Sequence, residues 1–554
     1  MENEGREALA RWEAERAANF YEAAPNLRRV LRFHLGADAL AAFEPRLQAF
    51  GAAVAQVVEP AARMQECEGY GPRLVSADRL GRKTNEIVFH PARMAAGRAV
   101  WAEGLFEASA FEQAALMYLV AHAGEAGQAC PFACTAGLVR ALREHGAPAL
   151  QARFLPPLLV RDYARAERGA QFLTEVQGGS DVGANTTEAV ADEVEPGAWR
   201  LHGEKWFCSV ADADQFVVTA RPRGAPAGTE GLACFLVPRC VDGRANGFRI
   251  RRLKEKLGTR ALATAEIEFE GALAYPIGAL QDGFKIAAGV VLNTSRWLNA
   301  CGSAGLMRRA YLEAAGYARH RSAFGQPVAD FPLVRENLAI IKAEEHAALA
   351  STMALTGLVD ALDRGTDDDE TVSLHRFLVN ANKYMVSIVA THVVHRAIEV
   401  LGGNGTIEDF SPLPRLYRDA IVFESWEGTH NVLVEQVRRD AARFGLLPLV
   451  LADLRRRLAT LEPMEDVAAV IDLLDSLEPR LERGLAQPVH FRRRLGELHR
   501  AVQATFLLTE AEAEAESEKR DVAAFFIRRR LRRDYDPEAD SGYEALIDRV
   551  LADD

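Results

Sequence analysis

The stretch that decides the fold begins with QFVVTARP at residues 215–222 and continues with LACFLVP at 232–238 and ATAEIEFEG at 263–271. These short runs are rich in Val, Phe, Ile and Thr, and clusters of Gly and Pro separate them, which is the pattern of β-strands joined by turns. Residues 169–283 therefore predict a β domain.

Helical periodicity flanks this β domain on both sides. Apolar residues recur three and four positions apart within residues 1–165, and the same spacing returns at Phe284, continues to Gly402 and reappears at residues 430–444. The order along the chain is therefore α, β, α. After Pro448 the composition shifts to an acidic, arginine-rich segment that we interpret as a separate helical appendage.

Composition and charge exclude several classes of protein. With 554 residues, 49% hydrophobic and 26% charged, the chain is neither disordered nor collagen-like. A net charge of −12 argues against polyanion binding by the whole chain, and seven scattered cysteines without CxxC pairs predict no metal site. The N-terminus lacks the apolar core of a signal peptide, and no run approaches the roughly 20 apolar residues of a membrane helix. We therefore expect a cytoplasmic protein without a membrane partner.

The first candidate segment is TEVQGGSD at residues 174–181. Its paired glycines allow close approach of the backbone to a ligand, and the hydroxyls of Thr174 and Ser180 can donate to or accept from a ring. An ordinary turn has almost the same sequence, so this alternative stays open.

The second segment is GEKWFCS at residues 203–209, which places Trp206 and Phe207 side by side in a predicted strand. Because side chains alternate across a strand, one ring is expected to stack on a planar cofactor while the other packs in the core. Two core aromatics are the alternative interpretation.

The third and fourth segments combine arginine, glycine and a carboxylate. RHRSAFGQ at residues 319–326 offers a guanidinium fork for a pyrophosphate, although a capped helix end with surface arginines is equally consistent. LGGNGT at 401–406 allows backbone contact with phosphate or sugar. ESWEGTHN at 424–431 holds Glu427 between Trp426 and a glycine at a loop-to-helix junction, which suits a desolvated base.

In this order and spacing the segments resemble the acyl-CoA dehydrogenase family of flavoproteins. That family carries TE-x-x-x-GSD, KLGxR, IGxxxxGF, RxxFG, LGGxG and LYRDA leading into an EGT loop; here these motifs stand at residues 174–181, 256–260, 277–284, 321–325, 401–405 and 416–429. A narrower resemblance is to the AidB subgroup, which is associated with the adaptive response to DNA alkylation. It rests on QGGSDV-x-x-NTT, KWF-x-SV, FHPA at 89–92, AGxxCP at 126–131 and the C-terminal extension.

The resemblance implies a fold that is mainly α with a central β domain. It predicts an N-terminal helical domain at residues 1–165, a β-barrel domain at 166–285, a helical bundle domain of four helices at 286–447 and a C-terminal helical extension at 448–554. It also implies FAD as cofactor, an acyl-CoA substrate, an electron-transfer flavoprotein as acceptor and a homotetramer.

The resemblance further assigns roles to individual residues. Glu427 is the implied base that removes the α-proton of the acyl thioester, and packing against Trp426 and an acyl chain is expected to raise its pKa. Some family members place the base at the position of Ser295, which cannot serve. A helix-start carboxylate is the structural alternative for Glu427. The residues implied to bind FAD are Thr174, Ser180, Trp206, Phe207, Ser209, Arg321, Phe324, Gly402, Gly403, Trp426, Thr429 and Asn431.

One position departs from the family pattern. Cys208 stands where many dehydrogenases have a threonine that donates to flavin N5, and a thiol is a weak donor. We therefore expect low dehydrogenase activity.

The extension decides between two functions. Its arginines Arg528, Arg529, Arg532 and Arg533, with Arg530, span about 200° of a helix and form either a phosphate-binding arc or an intersubunit salt-bridge face. An arc predicts non-specific binding of double-stranded DNA by a flavoprotein whose dehydrogenase site is largely vestigial. A salt-bridge face, paired with acids at 511–518 or 534–540, leaves oxidation of a short or branched acyl-CoA as the function.

Overall fold

A computed structural model describes residues 3–16, 18–67, 69–513, 518–532 and 535–552. Helices dominate at both ends of the chain and strands cluster in the middle, so the prediction of a mainly α fold with a central β domain is confirmed. The helices are α1 (Glu4–Ala14), α2 (Pro25–Leu35), α3 (Ala37–Ala53), α4 (Glu59–Glu66), α5 (Ala92–Trp101), α6 (Ala110–His122), α7 (Ala126–His145), α8 (Pro148–Leu158), α9 (Gly283–Ile286), α10 (Asn293–His320), α11 (Pro332–Arg364), α12 (Asp369–Leu401), α13 (Leu413–Ser425), α14 (His430–Phe444), α15 (Leu446–Leu458), α16 (Glu465–Leu485), α17 (Pro488–Glu512), α18 (Glu518–Arg530) and α19 (Tyr543–Val550). The strands are β1 (Arg73–Ala77), β2 (Lys83–Val88), β3 (Gly169–Phe172), β4 (Glu188–Ala191), β5 (Trp199–Ser209), β6 (Gln215–Pro222), β7 (Ala233–Pro238), β8 (Cys240–Val241), β9 (Arg244–Ala245), β10 (Phe248–Leu253), β11 (Thr264–Pro276), β12 (Ser322–Ala323) and β13 (Gln326–Pro327).

The described residues divide into two compact units. The helical unit is drawn from Met1–Ala55, Ser109–Ala123 and Asn299–Asp554, and the sheet unit from Gln56–Ala108 and Gly124–Leu298. The N-terminal helical region is therefore shared between the two units, and the extension belongs to the same unit as the bundle.

The sheet unit is built on a closed ring of strands. β11 pairs with β5, β5 with β4, β4 with β6, β6 with β7, and β7 returns to β11, while β10 and β3 lie outside this ring. Closure leaves no free edge within the ring, and Phe216, Phe235 and Phe269 on its strands are almost fully buried. The middle of the chain is thus a barrel.

A hairpin in the N-terminal region was not predicted. β1 and β2 pair antiparallel within the stretch predicted to be mostly helical, and every residue of the two strands is exposed or only partly buried. Strands without a buried face lack the apolar alternation that sequence reading relies on.

The helical unit is organised around two long helices, α11 and α12. α11 ends at Gly365, whose left-handed φ of 63° closes the helix, and Asp368 caps α12 by accepting a hydrogen bond from the Thr371 amide at 2.8 Å. The continuous helical period expected from residue 336 to 402 is therefore broken into two helices. α11 packs against α6, and α12 packs against α11, α13 and α14.

The C-terminal extension shares the core of this unit. α17 packs against α11, α16 and α18. Lys342 of α11 forms an ion pair with Glu518, Lys519 pairs with Glu510, and all four side chains are almost fully buried. Buried charges are tolerated only when they are paired, so these contacts bind the extension into the fold.

One described helix passes a simple test for a membrane span. The segment Asp369–Thr406, which contains α12, is long enough and has a mean hydropathy of 1.3 in its most apolar window, a level that the sequence reading had not expected. The core helix of a globular protein passes the same test, and α12 is packed on several sides by neighbouring helices. The finding is therefore weak evidence for a membrane span.

Candidate active site

Glu427 lies in the loop between α13 and α14, where the sequence placed it. Its backbone has a φ of 57°, in the left-handed region that a side chain with a Cβ rarely adopts. Such a conformation costs on the order of 1–3 kcal/mol, persists only where the surroundings impose it, and is concentrated at functional sites. The loop around Glu427 must therefore be held by its neighbours.

Lys383 of α12 is the main anchor of this loop. Its fully buried ammonium group donates to the carbonyl oxygens of Glu424 at 3.0 Å and Gly428 at 2.9 Å, on either side of Glu427. Hydrogen bonds from a charged donor are stronger than neutral ones. The two ends of the turn are thus tied to one helix.

A second set of contacts fixes the Glu424 side chain. Its carboxylate is 2.7 Å from Nε2 of His430 and also accepts a hydrogen bond from the Thr391 hydroxyl. Burial raises the pKa of this carboxyl, but the hydrogen bonds from His430 and Thr391 outweigh it and hold the pKa below its usual value. Glu424 is therefore a structural anion, whereas Glu427 occupies the strained turn.

Trp426 is held in a defined orientation beside Glu427. Its indole Nε1 donates to Oδ1 of Asn299 on α10 at 2.5 Å, and its ring stacks on Phe423 with centroids 4.8 Å apart. A ring fixed by both stacking and a hydrogen bond gives the base a rigid apolar neighbour.

The start of α14 carries two of the predicted cofactor residues. Thr429 is the N-cap residue, and within the described chain its side chain makes no capping hydrogen bond. Asn431 is exposed, and its Oδ1 accepts a hydrogen bond from Arg492 of α17. The extension therefore reaches one of the residues implied to bind FAD.

Four further predicted cofactor residues lie on the surface of the helical unit. Phe324 is 99% exposed with a φ of 50°, and Arg321 at the end of α10 is also exposed. A Cβ at Gly402 or Gly403 would meet no described atom within 4 Å. These positions leave space for a ligand or for another chain.

In the sheet unit, the TEVQGGSD loop is anchored by a buried ion pair. Glu175 Oε1 is 2.7 Å from Lys205 Nζ, and both side chains are almost fully buried. Burial raises the pKa of Glu175, but Lys205 and hydrogen bonds from Thr187 and Thr186 lower it to about 2. Thr174, the loop's first residue, accepts a hydrogen bond from the Trp206 amide through its carbonyl oxygen at 2.9 Å.

Ser180, which the resemblance implies in FAD binding, is exposed farther along the same loop. The buried carboxylate of Glu175 thus anchors the loop through Lys205, and the backbone of Thr174 binds the loop to the strand that carries Trp206.

A β-bulge places both predicted aromatics outside the core. Lys205 pairs with Ile267 and Cys208 with Ala265, so Trp206 and Phe207 together oppose the single residue between them on β11. Such a bulge interrupts the alternation of side chains. Trp206 is therefore only partly buried and Phe207 is 53% exposed. The expectation that one of the two rings packs in the core is wrong.

The ammonium of Lys254 lies over the Trp206 ring, 3.4 Å from its centroid. Ser209 forms a hydroxyl–hydroxyl contact of 3.1 Å with Thr264. Cys208 is fully buried, and burial raises the pKa of its thiol. Its buried side chain contrasts with the exposed ring of Phe207, the residue before it.

The arginine arc of the extension is engaged within the chain. Arg528 pairs with Asp540 at 3.0 Å, Arg529 with Glu336 at 2.7 Å, and Arg532 with Glu465 at 2.7 Å. Arg530 likewise pairs with Glu344, and Arg533 lies outside the described residues. The geometry favours the salt-bridge face, formed inside one subunit rather than between subunits.

Three stretches of the chain match known domain families. Residues 12–165 match the N-terminal domain of the adaptive response protein AidB, residues 170–272 the middle domain of acyl-CoA dehydrogenases, and residues 281–442 their C-terminal domain. AidB of Escherichia coli is 35% identical over 66% of this chain and 69% of its own length. The chain belongs to the acyl-CoA dehydrogenase family.

Membership of the acyl-CoA dehydrogenase family confirms the resemblance and the assignment of FAD as cofactor. Acyl-CoA dehydrogenase family member 11 of Caenorhabditis elegans is 33% identical over 76% of this chain and 70% of its own length. The crystal structure of C. elegans ACDH-11 in complex with C11-CoA is 28% identical, covers 90% of this chain and 89% of that one, and superimposes with a TM-score of 0.84.

Sequence reasoning missed the residues that support this acyl-CoA dehydrogenase site. Lys383 and Asn299 lie on helices far from the EGT loop in sequence, and none of the quoted motifs contains them. Glu175 and Lys205 stand inside the quoted motifs, but only the fold shows that they meet. A lysine at an otherwise apolar helix position, such as Lys383, is the one local signal that could have found a support residue.

Proposed function

We propose that this protein is an FAD-dependent dehydrogenase that oxidises a short or branched acyl-CoA to the corresponding enoyl-CoA. Glu427 removes a proton from Cα, the hydride leaves Cβ, and a carbon–carbon double bond forms between the two atoms. FAD supplies the hydride acceptor when bound, and an electron-transfer flavoprotein is the proposed oxidant of the reduced cofactor.

The observation that carries this proposal is the strained turn at Glu427. The backbone of Glu427 has a φ of 57°. The buried Lys383 holds it there by donating hydrogen bonds to the carbonyl oxygens of Glu424 and Gly428 on either side. A purely structural helix-start carboxylate needs no such conformation. Trp426, fixed by Asn299, supplies an apolar side chain next to Glu427 in the chain.

The residues present fit a planar cofactor with a phosphate tail. Phe207 exposes half of its surface beside Trp206, as a ring that stacks on a ligand does. Gly402 and Gly403 leave their backbone open to approach, and Thr429 begins a helix whose first amides face solvent or a ligand. Thr174, Ser180, Ser209 and Asn431 add neutral polar groups.

The substrate class is supported by the complex of ACDH-11 with C11-CoA, since that relative binds an acyl-CoA. The test is an anaerobic titration of the holoprotein with butyryl-, isovaleryl-, octanoyl- and undecanoyl-CoA while the flavin absorbance is followed. Bleaching by one of these thioesters supports the proposal and defines the chain length. A flavin that stays oxidised with the whole panel contradicts it.

We infer a low rate for this reaction. Cys208 is buried in the barrel, so the donor that many family members offer to the flavin is missing from this strand position. A turnover at or above roughly 10 per second would contradict this inference.

Replacement of Arg321 by Ala is expected to weaken FAD retention without unfolding the protein. Arg321 is exposed at the end of α10, and a guanidinium fork binds a pyrophosphate bidentately. Flavin content after gel filtration and circular dichroism are the two measurements, with Arg319→Ala, two residues earlier on the same helix, as the matched control. Full flavin occupancy in Arg321→Ala would assign the pyrophosphate to other residues.

A homotetramer remains part of the proposal. Phe324 is almost wholly exposed, and an aromatic ring of this kind is typical of an interface. Sedimentation of the wild type and of Phe324→Ser tests it, because loss of an interface ring lowers the assembly state.

Non-specific binding of double-stranded DNA stays an alternative, and the ion pairs of the arginine face argue against it. The triple variant Arg528→Ala, Arg529→Ala, Arg532→Ala is expected to unfold at a lower temperature, because partly exposed pairs contribute up to about 1 kcal/mol each. Neither protein should bind duplex DNA at about 50 mM salt. Wild-type binding that falls steeply with salt and is lost in the triple variant would instead support the DNA alternative.

A further inference from the structure

The helical unit contains a cavity away from the residues discussed so far. Its volume is about 270 Å³, and its walls come from α2, α11, α12, α15 and α17. This volume lies just below the range of about 300–1,000 Å³ that is usual for small-molecule pockets. Two of the five walls belong to the C-terminal extension, so the cavity exists only because the extension packs on the bundle.

Most of the cavity wall is apolar. The side chains that face it include Leu358, Leu374, Phe377, Leu454 and Val502, and Gly357 leaves one wall open where another residue would fill it. A Cβ at Gly357 would meet only Phe111, at an ordinary contact distance of 3.7 Å. This surface suits a hydrocarbon chain.

The polar part of the wall is small and consists of His34, Asp453 and Arg457. Arg457 donates from Nε to Asp453 at 2.8 Å and lies over the ring of Phe506, 4.8 Å from its centroid. Among the described residues its two terminal nitrogens have no partner. Asp453 also accepts a hydrogen bond from Arg456 at 2.7 Å, and Arg456 is paired with Glu370 as well. These two arginines and two carboxylates are neutral together, and Arg457 is the cation that lines the cavity.

His34 adds an unsatisfied buried nitrogen to this group. Its Nε2 is buried without a hydrogen-bond partner among the described residues. Burial, followed by the charges of Lys519 and Arg457, lowers the pKa of His34 to about 4, so the imidazole is neutral near pH 7. A buried polar atom without a partner is unfavourable, and a hydrogen bond to a ligand oxygen would remove this cost.

We propose that this cavity binds a medium-chain monocarboxylate, with its carboxylate on the free nitrogens of Arg457 and on His34 and its chain along the apolar wall. A guanidinium fork matches the two oxygens of a carboxylate, and an apolar wall excludes a compact anion such as phosphate. The site is independent of the acyl-CoA site, so it holds whether or not the proposed dehydrogenation takes place.

The test is calorimetric titration of the holoprotein with octanoate and decanoate, with 1-octanol and octylamine as neutral and cationic probes of the same chain length. We expect octanoate and decanoate to bind with a dissociation constant below about 1 mM, and we expect octylamine not to bind. The Arg457→Gln variant should bind octanoate at least about tenfold more weakly than the wild type. Arg456→Gln, the matched control that also bonds Asp453, should leave octanoate binding unchanged.

A second variant tests the apolar wall. Gly357→Leu places a side chain in the cavity and should abolish octanoate binding while flavin content and the circular dichroism spectrum are retained. If that variant does not fold, the comparison of Arg457→Gln with Arg456→Gln decides the question. The proposal is overturned if the wild type binds no carboxylate, if octanoyl-CoA displaces octanoate, or if both Arg457→Gln and a folded Gly357→Leu bind it normally.

Discussion

The Glu427→Gln variant is expected to lose acyl-CoA dehydrogenation by about 10²- to 10⁴-fold while it keeps FAD. Glutamine has the shape of glutamate and retains the strained turn tied to Lys383, but its amide cannot accept the α-proton. The measurements are the rate of flavin bleaching in a single anaerobic turnover and the flavin content of the purified variant.

Two controls separate the loss of a base from damage to the loop. Ser425→Ala, at the end of α13, changes an exposed residue of the same loop and should leave the bleaching rate unchanged. Glu424→Gln replaces a carboxylate that is bound by His430 and Thr391. This variant should lower the stability of the protein more than it lowers the bleaching rate. A Glu427→Gln protein that bleaches at the wild-type rate would place the base elsewhere.

Replacement of Glu175 by Met is expected to destabilise the protein by about 3–5 kcal/mol and to release FAD. The substitution leaves Lys205 charged, fully buried and with only the Leu173 carbonyl at 3.4 Å as a partner among the described residues. The TEVQGGSD loop loses its anchor at the same time. Chemical unfolding and flavin content measure the two effects.

Replacement of the partner residue, Lys205→Met, should lower the free energy of unfolding by less than Glu175→Met does. Without the lysine, Glu175 still accepts hydrogen bonds from the amide and hydroxyl of Thr186, from those of Thr187 and from Gln177. The double variant should be less destabilised than the sum of the two single changes, because no unpaired lysine remains buried. If Glu175→Met and Lys205→Met lower the free energy of unfolding equally, the larger number of hydrogen-bond partners of Glu175 does not affect stability.

The same carboxylate gives stability a defined pH dependence. The pKa of Glu175 is lowered from 4.5 to about 2 in the folded protein, so its contribution is fully present above about pH 4.5. That contribution is lost as the pH falls from there through about 2. The Glu175→Met variant should therefore show a flatter decline in stability over this interval than the wild type.

Much of the site could be predicted from the sequence because its motifs are local. Glu427, Trp426 and Thr429 lie within four residues of one another, and the loop-to-helix junction that they form was predicted from the sequence, although helix α13 before the loop was not. The exposed Phe324 and Arg321 likewise follow a helix end that the sequence marks. A motif contained in one turn or one helix end carries its geometry with it.

The placement of Trp206 and Phe207 could not be predicted, since a bulge depends on how two strands pair. The register between β5 and β11 shifts at these residues, and nothing in KWFCS announces the shift. The arginine face was ambiguous for the same reason. An arc of arginines on one helix has the same sequence whether acids from α11, α16 and the C-terminal loop cover it or solvent does.

By itself the sequence determined the family, the α, β, α order, the candidate loop that carries Glu427 and the cofactor, because each depends on residue types close together in the chain. Only the tertiary structure decided which distant residues support that loop, where the extension packs and that its packing encloses a cavity. Lys383 reaches the Glu427 turn across 44 residues, and Arg492 reaches Asn431 across 61. Such long-range contacts result from the packing of whole helices against one another, and the local spacing of residues does not predict them.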